Sequence, residues 1–199
     1  MNHVDVIVIG GSAGALPVLL AMLPALPDAL TAPIVVVIHV PPAQPSRLPE
    51  LLGRICRRHV SEVEDKLALQ PQTIYVAPPN YHVLLERDRT LALSVDPPVH
   101  FSRPSIDVLF ESAADTFGGG ALGVLLSGAS EDGARGLARI RGAGGGAVIQ
   151  DPATAAHPEM PAAGLRWLRG DARVCSAPEL ASAVATLGGI VISHQDCAR

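Results

Sequence analysis

The chain has 199 residues, the size of one ordinary globular domain or two small ones, and 48% of them are apolar, ample for a buried core. Its formal charge of −4, with no basic block, excludes the electrostatic footprint of a nucleic-acid binder. Aromatic residues make up only 3%, so Val, Leu, Ile and Ala must fill the core.

Residues 4–9 form a short, β-branched apolar run, the pattern of a strand buried on both faces. The run ends at Gly10-Gly11-Ser12, and the spacing of Leu16, Leu19, Leu20 and Leu23 predicts a helix over 13–26. A second buried strand is expected over 34–40, closed by Pro41-Pro42, then a helix over 46–57. Its Arg54, Arg57 and Arg58 read as a solvated side. A third strand falls near 73–77. The runs 83–86 and 91–95 flank the turn Arg87-Asp88-Arg89 and read as an antiparallel hairpin at a sheet edge. Ser105 is placed to cap a helix over 106–117. A buried strand over 122–126, a helix from Asp132 or Gly133, a strand over 147–150, and helices over 161–168 and 178–187 complete the chain. Strand and helix alternate throughout. The expected fold is therefore a single doubly wound α/β domain, its mostly parallel sheet covered by helices on both faces, with the hairpin at one edge. Its core spans about residues 4–187 of the single domain 1–199, ahead of a short tail.

Cys56, Cys175 and Cys197 lack C-x-x-C spacing and read as free thiols of a reducing compartment. The N-terminus has no signal-peptide pattern, and no apolar run approaches membrane-spanning length. The expected location is cytoplasmic, without membrane insertion.

In an open parallel sheet, ligands bind beyond the carboxyl ends of the strands. Ser12 ends the first strand and His39 the second, and the loop after the strand over 122–126 carries Asp132. A hydroxyl, an imidazole and a carboxylate thus meet at one rim. Gly10-Gly11-Ser12-Ala13-Gly14 matches G-x-S-x-G, in which glycines allow a sharp strand-to-helix turn that exposes the serine. The N–H groups of Ala13 and Gly14 are available there to an oxyanion. His39 fits a general base, and Asp132 its orienting carboxylate. Against these roles stand an N-cap serine, a buried neutral histidine and a helix-capping aspartate, and spacing does not choose between Asp132 and Glu131.

These segments resemble the catalytic domain of the chemotaxis protein-glutamate methylesterases, the CheB family. The resemblance runs from Val6 to about Leu187. It is carried by Gly10-Gly11-Ser12-Ala13-Gly14, Val36-Val37-Ile38-His39-Val40-Pro41-Pro42, Tyr75-Val76-Ala77-Pro78-Pro79-Asn80-Tyr81-His82, Phe101-Ser102-Arg103-Pro104-Ser105-Ile106-Asp107-Val108-Leu109-Phe110 and Leu126-Ser127-Gly128-Ala129-Ser130-Glu131-Asp132-Gly133-Ala134. It implies a Ser12–His39–Asp132 triad, with the carboxylate on Asp132. It also implies an oxyanion site at the backbone of Ala13 and Ala129, and a substrate pocket near Met160. The implied reaction is hydrolysis of glutamate γ-methyl esters on the cytoplasmic helices of chemoreceptors, releasing methanol, with deamidation of receptor glutamines as a related activity. No metal or organic cofactor is expected. The family's N-terminal receiver domain has no counterpart ahead of Val4, which fits either a stand-alone form or an excised fragment; regulation by a separate receiver or kinase protein is compatible with the resemblance. Ala129 stands where the family usually has methionine. Two alternatives remain at this point: a catalytically silent partner-binding domain of the same fold, and a nucleotide-binding module. The latter is opposed by the lack of G-x-G-x-x-G and by His39 where a ribose-binding acid would stand.

Overall fold

The computed structural model describes residues 3–39 and 46–189; the expected strand end at 40–42 and Cys197 fall outside them. In chain order the elements are β1 (Val6–Gly11), α1 (Ala15–Met22), β2 (Ile34–Ile38), α2 (Leu48–Ile55), β3 (His59–Glu62), β4 (Leu67–Ala68), β5 (Thr73–Val76), β6 (His82–Leu85), β7 (Thr90–Ser94), α3 (Ile106–Phe117), β8 (Ala121–Leu125), α4 (Ala134–Gly142), β9 (Gly146–Gln150), α5 (Glu159–Leu168), β10 (Arg173–Cys175) and α6 (Leu180–Leu187).

Seven strands form one parallel sheet in the order β10-β9-β8-β1-β2-β5-β3. The central strands β1, β2 and β8 are buried at every residue, as expected when helices cover both faces. Side chains alternate between two cores. Ile7, Ile9, Ile34, Val36, Leu122 and Val124 pack with α1, α2 and α6. Val6, Val8, Val35, Val37 and Leu125 pack with α3, α4 and α5. Period-two alternation of apolar residues thus feeds both layers.

The hairpin of β6 and β7 forms as expected, but not at an edge of the main sheet. It joins β4 in a separate antiparallel sheet, order β4-β7-β6. The side of β5 away from β2 is already occupied by β3, and Val83, Leu85 and Leu91 pack into the α3 side of the core instead. Two hydrogen bonds fix this docking: Leu85 N–H donates to Ser112 Oγ (3.0 Å) and Thr116 Oγ1 donates to the Leu85 carbonyl (2.9 Å). The helix expected over 13–26 is shorter, Ala15–Met22, and continues as a 3-10 turn over Leu23–Ala25 where Pro24 withholds its N–H.

From β1 the chain moves to β2 on one side, while β8 flanks β1 on the other. The strand order reverses at that point, and the crevice beyond the carboxyl ends of β8, β1 and β2 is where a doubly wound fold places its ligand.

Candidate active site

Ser12 follows β1 directly and is partly buried. In the β1–β2 register Gly11 faces Ile38, and His39 N–H donates to the Gly11 carbonyl at 3.1 Å. One step further, Ser12 and His39 leave adjacent strands, which lie about 4.8 Å apart. They are therefore within side-chain reach. The turn between Ser12 and α1 depends on Gly14, whose φ of +77° is left-handed. A Cβ there would stand 2.6 Å from the Ala156 Cβ and 2.8 Å from Ser127 Oγ. Ser127 ties this turn to the loop after β8: its carbonyl accepts from Ser12 N–H (2.9 Å) and its hydroxyl donates to the Ala13 carbonyl (2.8 Å).

Asp132 is completely buried and accepts four hydrogen bonds. His39 Nε2 and the Ile106 N–H reach Oδ2 at 2.8 and 2.7 Å; Ser105 Oγ and the Asp107 N–H reach Oδ1 at 2.8 and 3.0 Å. Burial pushes its carboxyl up, but the His39 bond and the two amides outweigh this and hold it below the usual carboxylate value. Asp132 is both a helix cap and the partner of the imidazole; the cap is on α3 rather than on the helix that follows it in sequence. Glu131, the rival carboxylate, is exposed.

The Asp132 carboxylate only accepts, so Nε2 of His39 carries the ring proton and Nδ1 is the basic nitrogen. In the structure a hydroxyl already addresses Nδ1: Ser102 Oγ donates to it at 3.4 Å. No hydrogen bond joins Ser12 to the imidazole among the described residues. In unliganded hydrolase sites such contacts are often long or poorly aligned.

Ser102 ends a two-residue hairpin. Val99 N–H donates to the Ser102 carbonyl (3.1 Å) and Ser102 N–H to the Val99 carbonyl (2.9 Å). Between them His100 (φ +49°) and Phe101 (φ +61°) are both left-handed, where residues other than glycine cost about 1–3 kcal/mol each. Below the hairpin lies Asp107, also fully buried, whose Oδ1 accepts the N–H groups of Gly133 (3.0 Å) and Gly136 (2.7 Å) at the start of α4. Its Oδ2 has no hydrogen-bond partner; His100 Nε2 stands 3.3 Å away and Arg135 Nε 3.8 Å away. Burial raises the Asp107 carboxyl, aided by the Asp132 charge and opposed by the Gly136 amide. His82 supports the site from behind: its Nδ1 accepts from Ser105 N–H (3.1 Å), leaving Nε2 to donate to the Pro97 carbonyl (3.2 Å).

The expected oxyanion donors, Ala13 and Ala129, are both exposed, and neither amide donates to an acceptor among the described residues. Met160 requires a correction. It has no exposed surface and fills the space beside Gly128, where a Cβ would stand 2.5 Å from its Cε. It supports the loop after β8 from the core and cannot touch a substrate. His100, Asp107 and Asp132 bring ligand-type atoms within 4.8 Å of one another, the one such group among the described residues. Four donors already occupy Asp132 and the Arg135 cation faces Asp107, so the group suits support of the imidazole better than a metal ion.

A family model described as CheB methylesterase matches residues 7–184. The chain belongs to the CheB methylesterase family. A Leptospira interrogans protein carrying the protein-glutamate methylesterase/protein-glutamine glutaminase name is 44% identical over 161 residues, covering 81% of this chain and 83% of that protein. An Anaeromyxobacter dehalogenans protein of the same designation is 39% identical over 186 residues, covering 92% of this chain but 52% of that protein. The CheB methylesterase catalytic domain of Thermotoga maritima superposes with a TM-score of 0.86 at 27% identity, covering 94% of this chain and all of that one. This CheB-family chain thus spans most of one relative and about half of another. Membership in a methylesterase family leaves the nucleotide-binding alternative without support. No helix among the described residues is long and apolar enough to cross a membrane.

Proposed function

We propose that the chain is a serine hydrolase that removes methyl groups from glutamate γ-methyl esters of chemoreceptors and deamidates receptor glutamines, with Ser12 as nucleophile, His39 as general base and Asp132 as its orienting carboxylate. The observation that carries the reading is the 2.8 Å bond from His39 Nε2 to Asp132 Oδ2; Ser12 and His39 follow directly on the paired ends of β1 and β2, which supports their acting together. Nδ1 of His39 takes the proton from Ser12 Oγ as that oxygen attacks the ester carbonyl. The resulting oxyanion is stabilised by backbone N–H groups at Ala13 and Ala129, each such donor contributing about 3–4 kcal/mol to the transition state. The imidazolium returns its proton to the departing methoxide, and methanol leaves. Water, deprotonated by His39, then opens the acyl-enzyme to a free glutamate. For a glutamine substrate the leaving group is ammonia. The chain acts in the cytoplasm, on the cytoplasmic helices of the receptors.

Methanol release from methylated receptor fragments tests this. Ser12→Ala should lose about 10⁴–10⁶-fold in kcat. An active-site serine phosphonate should label the wild type and not the variant. Near wild-type methanol release by Ser12→Ala would refute the assignment, and an intact triad that neither labels nor releases methanol would favour the silent partner-binding reading.

A further inference from the structure

We propose that Phe101 is the residue that docks the protein substrate, its ring entering the apolar seam of the receptor helix that carries the glutamyl ester. The inference rests on the methylesterase reading above. Phe101 is fully exposed, with a relative accessibility of 105%, in a chain whose other two phenylalanines are buried or packed against the core. It also occupies a left-handed conformation that glycine or asparagine would adopt at far lower cost. Folding therefore gains nothing from this side chain, and the turn would be more stable without it. Backbone strain of this kind persists where the surroundings hold it, and it concentrates at functional sites.

The surroundings do hold it. Ser102, the next residue, contacts His39 Nδ1, and His100, the residue before, stands 3.3 Å from the buried Asp107. Arg103 then pins the base of the hairpin to two neighbouring segments, donating to Asn80 Oδ1 at 2.7 Å and to the Val95 carbonyl at 2.6 Å. The same two segments present Tyr81 and Val95, 41% and 68% exposed. An apolar rim led by Phe101 therefore stands beside the catalytic base. The reacting ester has to reach Ser12 in the crevice, so the rim meets whatever flanks that side chain. On an amphipathic helix the flanking apolar positions are those three and four residues away, which form a seam of the width that one aromatic ring fills. With the hairpin backbone already held in place, such a ring has only its two side-chain torsions to fix on entering the seam.

The test compares kcat/KM for a methylated receptor cytoplasmic fragment with kcat/KM for phenyl acetate, in the full chain. The ratio of the two should fall at least tenfold in both Phe101→Ala and Phe101→Gly, and Phe101→Leu should recover it to within about threefold of wild type. Trp167→Ala, which removes an exposed aromatic from α5, should leave both rates unchanged. A ratio within twofold of wild type in Phe101→Ala would overturn the inference. So would a loss in Phe101→Ala that Phe101→Gly reverses, since that would place the effect in the backbone rather than in the ring. A wild type that cleaves phenyl acetate but not the methylated receptor would instead overturn the substrate assignment itself, and the inference with it.

Discussion

At the N-termini of α3 and α4 two aspartates with no solvent exposure exchange caps, and burial leaves them with opposite tendencies. Asp132 precedes α4 and caps α3; Asp107 lies in the first turn of α3 and caps α4. Asp132 has four donors spread over both oxygens, one of them the imidazole, and is held below the usual carboxylate value. Asp107 has two amides on one oxygen, none on the other, and is pushed above it. Neither has any solvent exposure; the donors and charges around each carboxyl set the direction in which it moves. The comparison identifies Asp132 as the carboxylate equipped to steady a protonated imidazole, and Asp107 as the scaffold beneath it.

The largest test removes the charge at the first site. Asp132→Asn should lower kcat about 10⁴-fold, because an amide lets the imidazole adopt the wrong tautomer. The same variant should flatten the acid side of the stability curve. The folded pKa of Asp132 is depressed, so its contribution is present above the ordinary value of 3.8 and is lost as pH falls through the folded value. Thermal melting against pH would show that loss in the wild type and not in Asp132→Asn. Next, Ser105→Ala removes one donor from Asp132 and the N-cap acceptor of α3. It should cost about 1 kcal/mol in urea denaturation and about tenfold in kcat, roughly 1.4 kcal/mol of barrier. The smallest effect on activity belongs to Asp107→Asn. The folded pKa of Asp107 is raised, so its contribution to stability is present below 3.8 and is lost as pH rises through the folded value. An asparagine keeps the amide contacts at every pH. The variant should melt no lower than wild type at pH 7, lose that advantage on acidification below 3.8, and keep kcat within about threefold. A collapse of activity in Asp107→Asn comparable to Asp132→Asn would break the distinction between the two carboxylates.

The sequence was most legible where one residue's neighbours along the chain decide its fate. The runs that became β1, β2 and β8 are apolar at nearly every position because helices cover both faces, and their ends located Ser12, His39 and the loop of Asp132. The edge strands carry too little pattern to be legible. His59–Glu62 is polar at three of its four positions and Arg173–Cys175 is only three residues long, so neither shows an alternation long enough to read. The hairpin was recognised, but which sheet it joined depended on β3 already occupying the flank of β5. Ser105 is legible as a cap from its own helix, whereas its bond to Asp132 links positions 27 apart in the chain. Ser102 and Asp107 lie in a segment that carries the family resemblance, but nothing local assigns a role to them or to His100. Their roles come from the packing of α3 on α4 and from a hairpin whose left-handed residues are not the usual glycine or asparagine. Met160 failed as a pocket residue for the complementary reason: Gly128 leaves a space beside the loop, and an unbranched apolar side chain fills it.

The orientation of His39 also fixes the regiochemistry of any covalent attack on the ring. Its distal nitrogen, Nε2, points inward to Asp132, so the free lone pair is on Nδ1, next to the Cβ. An electrophile small enough to enter the crevice would therefore add at Nδ1, the more hindered position of an ordinary imidazole. Such an adduct would displace the Ser102 hydroxyl and leave the bond to the carboxylate intact.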